Sequence, residues 1–174
     1  TVVGAAAAPA DDDQLVFVTE SGQLLRFAAE LVRPQGRSGG GIAGMKLVDK
    51  DQVLSFSVVP AAEVDESVVV TVTRTDDGLL ETSPTAKVTQ LAEFVPKGRN
   101  TQGVRAHRFL RGELALELAW AGAHPLAGTT GGVARALPQE HSERDASGII
   151  LDSAIGVIGR GASPVLPAPD AEQA

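Results

Sequence analysis

The chain has 174 residues, of which 43% are hydrophobic, and its formal net charge is −7; this length allows one sizeable core or several repeats that share one. It contains no cysteine and no tyrosine, which excludes disulfides, cysteine-ligated zinc and any mechanism with a thiolate or tyrosyl nucleophile. No run of 18 apolar residues and no basic leader is present, so the sequence predicts a soluble, cytoplasmic chain without a membrane partner.

Short apolar runs separated by turn signals begin near residue 13 and predict β-strands. The predicted strands of this first unit are 15–19, 24–27, 42–47 and 53–59. Ser21 and Gly22 form the first predicted turn, and a glycine-rich segment, QGRSGGG (35–41), precedes the third strand. Four short strands in about 50 residues match the size of one propeller blade.

The same order of features recurs in two further copies. Their predicted strands are 68–73, 104–110 and 114–120 in the second copy, and 124–129, 133–137 and 148–151 in the third. PKGR (96–99) of the second copy corresponds to PQGR (34–37) of the first, and the same offset, called the repeat offset below, pairs Gly41 with Gly103. The second copy has a predicted turn at 77–78. In the weaker third copy the glycine-rich segment is reduced to SERDASG.

These repeats predict an all-β array of about three blades, each a four-stranded antiparallel sheet, because one blade alone cannot bury both of its faces. The predicted boundaries are 1–12 for the closing strand of a preceding blade, 13–62 and 63–122 for two blades, 123–161 for a degenerate blade, and 162–174 for a disordered tail. The chain is therefore expected to be a fragment of a larger array. The predicted packing anchors are Phe17, Phe27, Phe56, Phe94, Phe109 and Trp120.

Positive charge is concentrated in two corresponding segments, although the chain as a whole is acidic. Residues 26–46 contain four basic residues and one acidic residue, and residues 87–111 contain six basic residues and one acidic residue. Equivalent basic loops on successive blades would form a positive stripe that suits a polyphosphate backbone. The alternative is an ordinary solvated surface, because small arginine clusters are common on proteins.

Within the first basic segment, QGRSGGG (35–41) resembles the seven-residue gyrase box, Q-R-R-G-G-(R/K)-G, which it matches at Gln35, Arg37, Gly39 and Gly41. The surrounding repeat is also similar to that of the C-terminal domain of bacterial type II topoisomerase A subunits, DNA gyrase and topoisomerase IV alike. The resemblance implies a β-pinwheel, a propeller-like array in which neighbouring blades exchange strands.

The resemblance further implies a non-catalytic module that binds, bends and wraps double-stranded DNA and presents it to the cleavage core. The implied partners are the ATPase B subunit, which completes the holoenzyme, and the rest of the A subunit. The implied location is the nucleoid, and no cofactor is implied in this chain. The candidate DNA-binding residues are Arg26, Arg33, Gln35, Arg37, Lys46, Lys97, Arg99, Arg105, Arg108 and Arg111. A propeller-like scaffold that binds an acidic protein is the alternative function.

The remaining side chains give no pattern of catalysis. The three histidines have no ligand spacing, so no metal site is predicted. His107 is expected to be a partly buried strand residue rather than a phosphate contact. The serines lie in no nucleophile elbow, and the parent enzyme's cleavage chemistry is expected outside this chain.

Overall fold

The computed structural model of the chain describes residues 1–75 and 83–162, and within them the regular structure is almost entirely β. The strands are β1 (Gln14–Thr19), β2 (Gln23–Ala28), β3 (Val53–Val59), β4 (Ser67–Thr75), β5 (Thr85–Gln90), β6 (Val104–Arg105), β7 (Glu113–Ala123), β8 (Pro125–Gly128), β9 (Ala134–Arg135), β10 (Ile149–Ile150) and β11 (Val157–Arg160). Three short 3-10 helices, Ala29–Leu31, Ala61–Glu66 and Leu91–Glu93, lie between them. None of these helices has the length and apolarity that a membrane crossing requires.

The strands form three antiparallel sheets. The first has the order β3-β1-β2-β6, the second β10-β5-β4-β7, and the third β11-β8-β9. In each sheet the first strand of a repeat is central, with the second strand of that repeat on one side and its last strand on the other. This arrangement confirms the predicted all-β array of three blades, although the third sheet has three strands within the described residues where four were predicted.

Strands are exchanged between neighbouring repeats. β6 belongs to the second repeat but pairs with β2 of the first, where Val104 is opposite Leu24. β10 belongs to the third repeat and pairs in the same way with β5 of the second. Each exchanged strand therefore completes the sheet of the preceding repeat, which is the strand exchange that the resemblance implied.

The sheets are stacked with the second in the middle. The side chains of β4, which alternate between the two faces of the second sheet, pack against the first sheet on one face and the third sheet on the other. Val69 packs in the cluster that includes Val16 and Leu24 of the first sheet. Val72 belongs to a cluster that includes Ala127 of β8, in the third sheet. Successive residues of a strand point to opposite faces, so a strand that is covered on both faces lacks the usual alternation of buried and exposed residues. β4 is such a strand, since it is buried continuously from Ser67 to Thr73.

The aromatic residues are packing anchors, as predicted. Phe27 and Phe94 are completely buried, and Phe17 stacks on Phe27 with their ring centroids 5.6 Å apart. The others are partly buried against the hydrophobic clusters. Buried aromatic side chains make the largest individual hydrophobic contributions to such cores, which compensates here for an aromatic content of only 3%.

Several predicted strands are shorter than expected or absent. Residues 1–8 form no strand, and 42–47 pair only through Met45, which bridges Thr101 in parallel. The predicted strand at 104–110 is reduced to β6, because Arg105 is opposite Gln23, the first residue of β2, and further along the Arg108 amide donates to the Ala146 carbonyl of the next repeat. The predicted turn at 77–78 and residues 163–174 of the predicted tail lie outside the described residues.

Candidate nucleic-acid interface

The two basic segments follow equivalent elements of successive sheets. β2 begins at Gln23 and β5 at Thr85, and the 3-10 helices that follow them are Ala29–Leu31 and Leu91–Glu93. Both pairs are separated by the repeat offset, so the offset found in the sequence is also that of the structural repeat. The loops that carry the predicted DNA contacts leave the same corner of each sheet.

A first seam between repeats joins residues 43–46 to residues 97–101. Its backbone contacts are a parallel bridge from Met45 to Thr101 and a hydrogen bond of 3.0 Å from the Lys46 amide to the Thr101 carbonyl. The guanidinium of Arg99 donates to the Ala43 carbonyl at 2.9 Å. The first seam therefore brings three predicted contacts, Lys46, Lys97 and Arg99, into one place.

A second seam repeats this arrangement one sheet further on, between residues 105–108 and 142–146. The Arg108 amide donates to the Ala146 carbonyl at 3.1 Å, and the Arg144 guanidinium donates to the Arg105 carbonyl at 3.2 Å. Arg105 and Arg108 are thus placed together. Arg144 joins them, although the sequence did not predict it as a site residue.

Eight of the ten predicted contacts are exposed basic side chains: Arg33, Arg37, Lys46, Lys97, Arg99, Arg105, Arg108 and Arg111. The two seams collect five of them. Arg33 and Arg37 lie in the loop that leads to the first seam, and Arg111 lies in the turn before β7. The contacts of the described residues do not tie these three side chains to either seam.

The two seams differ in charge. The first seam has three cations and no acidic residue within 43–46 and 97–101. The second seam has three arginines, but Glu143 and Asp145 lie among them. The first seam is consequently the more positive of the two and the better match for a phosphate backbone.

Arg26 does not fit the predicted surface. It is only 7% exposed, and its Nε and Nη1 atoms are buried without a hydrogen-bond partner. Desolvation lowers the pKa of its guanidinium, and the nearby Asp65 partly opposes that shift. Arg26 lies on β2, a strand covered on both sides, so its side chain is not presented to a ligand.

The glycine-rich loop is an exposed turn that presents Arg37. The Gly39 amide donates to the Gly36 carbonyl at 2.9 Å, which places Arg37 at the corner. Gly41 has a φ of +87°, and no atom lies near the position of a Cβ added there. The side-chain amide of Gln35, the tenth predicted contact, donates to the Pro34 carbonyl at 3.2 Å.

Lys87 was counted in the basic segment, but its ammonium is used inside the protein. It is 1% exposed, and its Nζ donates to the carbonyls of Glu143, Arg144 and Ala146 at 3.1, 2.6 and 3.2 Å. Burial lowers the pKa of Lys87 to about 8. In the first seam the carbonyl of Gly98, equivalent to that of Glu143, instead accepts the Thr101 hydroxyl at 3.0 Å.

His107 is buried, as expected from its place in a strand-like segment. Its Nδ1 lies 2.9 Å from the Thr71 hydroxyl, and its Nε2 is buried without a partner. Desolvation and the nearby Lys87 charge lower the pKa of His107 to about 4. Because its side chain is not exposed at the surface, His107 is not placed to bind a phosphate in this structure. Among the described residues, no group of histidine and acidic side chains is arranged to hold a metal ion.

Comparison with known protein families gives a match along both basic segments. The family described as DNA gyrase C-terminal domain, beta-propeller, matches residues 13–60 and 85–109. The topoisomerase subunit TopoM of Mycolicibacterium smegmatis is 36% identical over 104 residues, which cover 59% of this chain and 13% of that protein. The DNA gyrase A subunit of Nocardioides sp. is 34% identical over 132 residues, covering 59% of this chain and 14% of that protein. The chain thus spans only a small part of these curated relatives.

Solved structures agree on the fold. A C-terminal domain of DNA topoisomerase IV superposes with a TM-score of 0.63 at 20% identity, covering 80% of this chain and 42% of that one. The C-terminal domain of E. coli ParC gives a TM-score of 0.63 at 16% identity, covering 86% and 61%. A DNA gyrase A C-terminal domain gives 0.56 at 23% identity, covering 80% and 43%. These superpositions confirm the pinwheel fold, and the family match reported above is what supports the family resemblance.

Proposed function

Because this chain carries the repeat of the C-terminal domain of type II topoisomerase A subunits, we propose that it binds and bends double-stranded DNA. In this proposal it is a non-catalytic module of the A subunit of a gyrase or topoisomerase IV. It presents a duplex to the cleavage core formed by the rest of that polypeptide, and the B subunit supplies ATP hydrolysis. A cytoplasmic, nucleoid-associated location belongs to the same proposal.

The observation that supports this proposal most directly is the first seam. Three exposed cations are gathered there with no acidic residue in either segment of the seam, and the same corner of the next sheet carries Arg105, Arg108 and Arg144. Cationic groups at equivalent corners of stacked sheets are spaced along one edge of the array. A duplex bound to such an edge would meet phosphate contacts at more than one sheet, and this favours bending over a single point contact.

The net charge of −7 does not oppose this function, because binding depends on where the charges lie. The acidic residues are concentrated elsewhere, as in Asp11 to Asp13 and in the 3-10 helix Ala61–Glu66. Arg160 is paired with one of them, Glu63, at 2.9 Å. The cations of the first seam have no acidic residue in the seam itself.

Binding is expected to tolerate any sequence. The described residues contain no α-helix that could enter the major groove, and the seam cations suit phosphates rather than base edges. Unrelated duplexes of equal length should compete equally well. One sequence that outcompeted the others by orders of magnitude would contradict a contact made through the backbone.

A salt titration with a long duplex tests the site. Each neutralised phosphate contributes about −0.9 to the slope of log affinity against log salt, so Lys46→Gln combined with Lys97→Gln should flatten the slope by roughly 2. Lys50→Gln combined with Arg74→Gln, two exposed basic residues outside the seams, is the matched control and should leave the slope unchanged. An unchanged slope in the Lys46/Lys97 variant would show that the DNA contact lies elsewhere.

The length of the duplex separates this function from the scaffold alternative. Bending across several sheets requires a long duplex, so affinity should rise with length until the edge is filled. A scaffold that binds an acidic protein would show no such dependence on length.

A further inference from the structure

One arginine and one glycine are shared by all three repeats in the segment that reaches the preceding repeat. The segments are QGRSGGG (35–41), KGRNTQG (97–103) and SERDASG (142–148). The second follows the first at the repeat offset, and the third follows the second at a shorter one. In this alignment only the third position, arginine, and the seventh position, glycine, are the same in all three.

The third-position arginine makes the same contact twice. Arg99 donates through Nη1 to the carbonyl of Ala43 at 2.9 Å. Arg144, its counterpart in the third repeat, donates through Nη1 to the carbonyl of Arg105 at 3.2 Å. The two acceptors, Ala43 and Arg105, are themselves equivalent, since they are separated by the repeat offset. A side-chain contact that recurs at equivalent donor and acceptor in successive repeats is a property of the repeat.

The acceptor lies on the exchanged segment of the preceding repeat. Arg105 belongs to β6, which pairs with β2 of the first sheet, while its carbonyl accepts the guanidinium of Arg144 from the third repeat. Three consecutive repeats are therefore connected through one residue. In the first seam the arginine is the part of this connection that depends on a side chain, since the neighbouring bonds, such as Lys46 amide to Thr101 carbonyl, are made by the backbone. In the second seam the ammonium of Lys87 adds further side-chain bonds to the same segment.

The seventh-position glycine makes the second half of the contact. A Cβ on Gly103 would overlap the carbonyl of Leu24 in β2, and its φ is +81°. A Cβ on Gly148 would meet the side chain of Thr85 and the carbonyl of Ala86 in β5. Leu24 and Ala86 are again separated by the repeat offset. The glycine allows the segment to approach the second strand of the preceding sheet, and the arginine then ties it to the exchanged segment.

We propose that Arg99 and Arg144 are positioning residues that clamp successive repeats together and fix the angle between neighbouring sheets. The charge of the third-position arginine is then incidental to its main role, which is a directed hydrogen bond to a backbone carbonyl. The clamp is a property of the protein alone and does not depend on DNA binding.

Distances between sheets test the clamp without DNA. Because the chain has no cysteine, pairs of cysteines can be introduced for spin labels at exposed sites, one site on each sheet. The sites are Gln52→Cys beside β3, Glu117→Cys on β7 and Ala134→Cys on β9. Pulsed electron spin resonance of the 52/117 pair reports on the first and second sheets. The 117/134 pair reports on the second and third sheets.

The expected result is selective. Arg99→Gln should at least double the width of the 52/117 distance distribution and leave the 117/134 distribution unchanged, whereas Arg144→Gln should do the reverse. Arg99→Lys, which keeps the charge and is the milder change if Arg99→Gln does not fold, should broaden the 52/117 distribution as well. Unchanged widths, or equal broadening of both pairs by either variant, would overturn the clamp.

Arg108→Gln is the matched control. Arg108 is an exposed arginine of the second seam whose recorded contact there is made by its backbone amide, so both distributions should keep their widths. Broadening by Arg108→Gln equal to that by Arg144→Gln would show that any loss of positive charge loosens the seam, which contradicts a directed clamp. A failure of DNA binding in the salt titration would leave these distances unaffected, so the two proposals fail separately.

Discussion

Acidification should destabilise this domain through one buried histidine. His107 is 1% exposed, shares a hydrogen bond with Thr71 and lies near the ammonium of Lys87. These surroundings lower its pKa to about 4 from an ordinary value of 6.5. Between these two values the unfolded chain binds a proton that the folded chain does not. Stability contributed by neutral His107 is therefore complete above pH 6.5 and is lost as the pH falls toward 4.

The size of the effect follows from the two pKa values. Lowering the pH from near 7.5 to about 5 should cost about 2 kcal/mol through His107 alone. Urea unfolding at the two pH values, followed by the fluorescence of the single tryptophan, Trp120, measures the free energy of unfolding in each condition. His107→Gln keeps a hydrogen-bonding partner for Thr71 and does not titrate, so its pH dependence should be smaller by about that amount.

His141→Gln is the control, because His141 is exposed in the third repeat and its side chain hydrogen-bonds to Gln90. It should retain the pH dependence of the unmodified protein. If His107→Gln and the unmodified protein lose the same stability on acidification, then His107 takes up a proton in the folded state and the reasoning from its burial is refuted.

Two further predictions concern the contacts between repeats. Gly103→Ala should lower the free energy of unfolding by about 2–4 kcal/mol in urea titrations, because φ is positive there and the added Cβ would overlap the Leu24 carbonyl. Gly98→Ala is the control: a Cβ there meets no atom, so the free energy of unfolding should change by less than about 0.5 kcal/mol. Equal effects of the two substitutions would contradict the close approach of Gly103 to β2. Lys87→Leu should cost about 1–3 kcal/mol by removing the donor to the partly buried carbonyls of Glu143, Arg144 and Ala146, and should speed amide exchange in residues 142–148. Ala146→Thr in that background should restore part of the loss, as Thr101 does in the first seam, and no recovery would contradict the carbonyl explanation.

The sequence predicted the architecture because the core strands carry their own signals. Alternating or continuous β-branched runs bounded by turn residues located β1, β2, β3 and β4 to within a residue or two. The exchanged strands were harder to predict. β6 and β10 have only two residues each, and what holds them is an edge in another repeat, which no local pattern records.

The candidate site was predicted less completely, and the reasons are specific. Arg26 was included because it lies in a basic segment, but it occupies a strand that is buried on both faces, where charge in the sequence says nothing about exposure. Arg144 was missed because site residues were taken from the two net-basic segments, whereas Arg144 lies between Glu143 and Asp145 in SERDASG. Comparing SERDASG with KGRNTQG position by position, which places Arg144 opposite Arg99, would have found it.

The two seams also explain how the repeat sequence can change while the geometry is kept. The carbonyl of Gly98 is satisfied by the Thr101 hydroxyl, whereas its equivalent on Glu143, in a segment with Ala146 instead of threonine, is satisfied by Lys87 from the neighbouring sheet. A backbone carbonyl accepts any suitable donor, so these positions are free to exchange partners. The arginine must span the seam and the glycine must fit against a backbone carbonyl, and few other residues meet either requirement. In the second and third segments those two positions are therefore kept while the rest of the motif diverges.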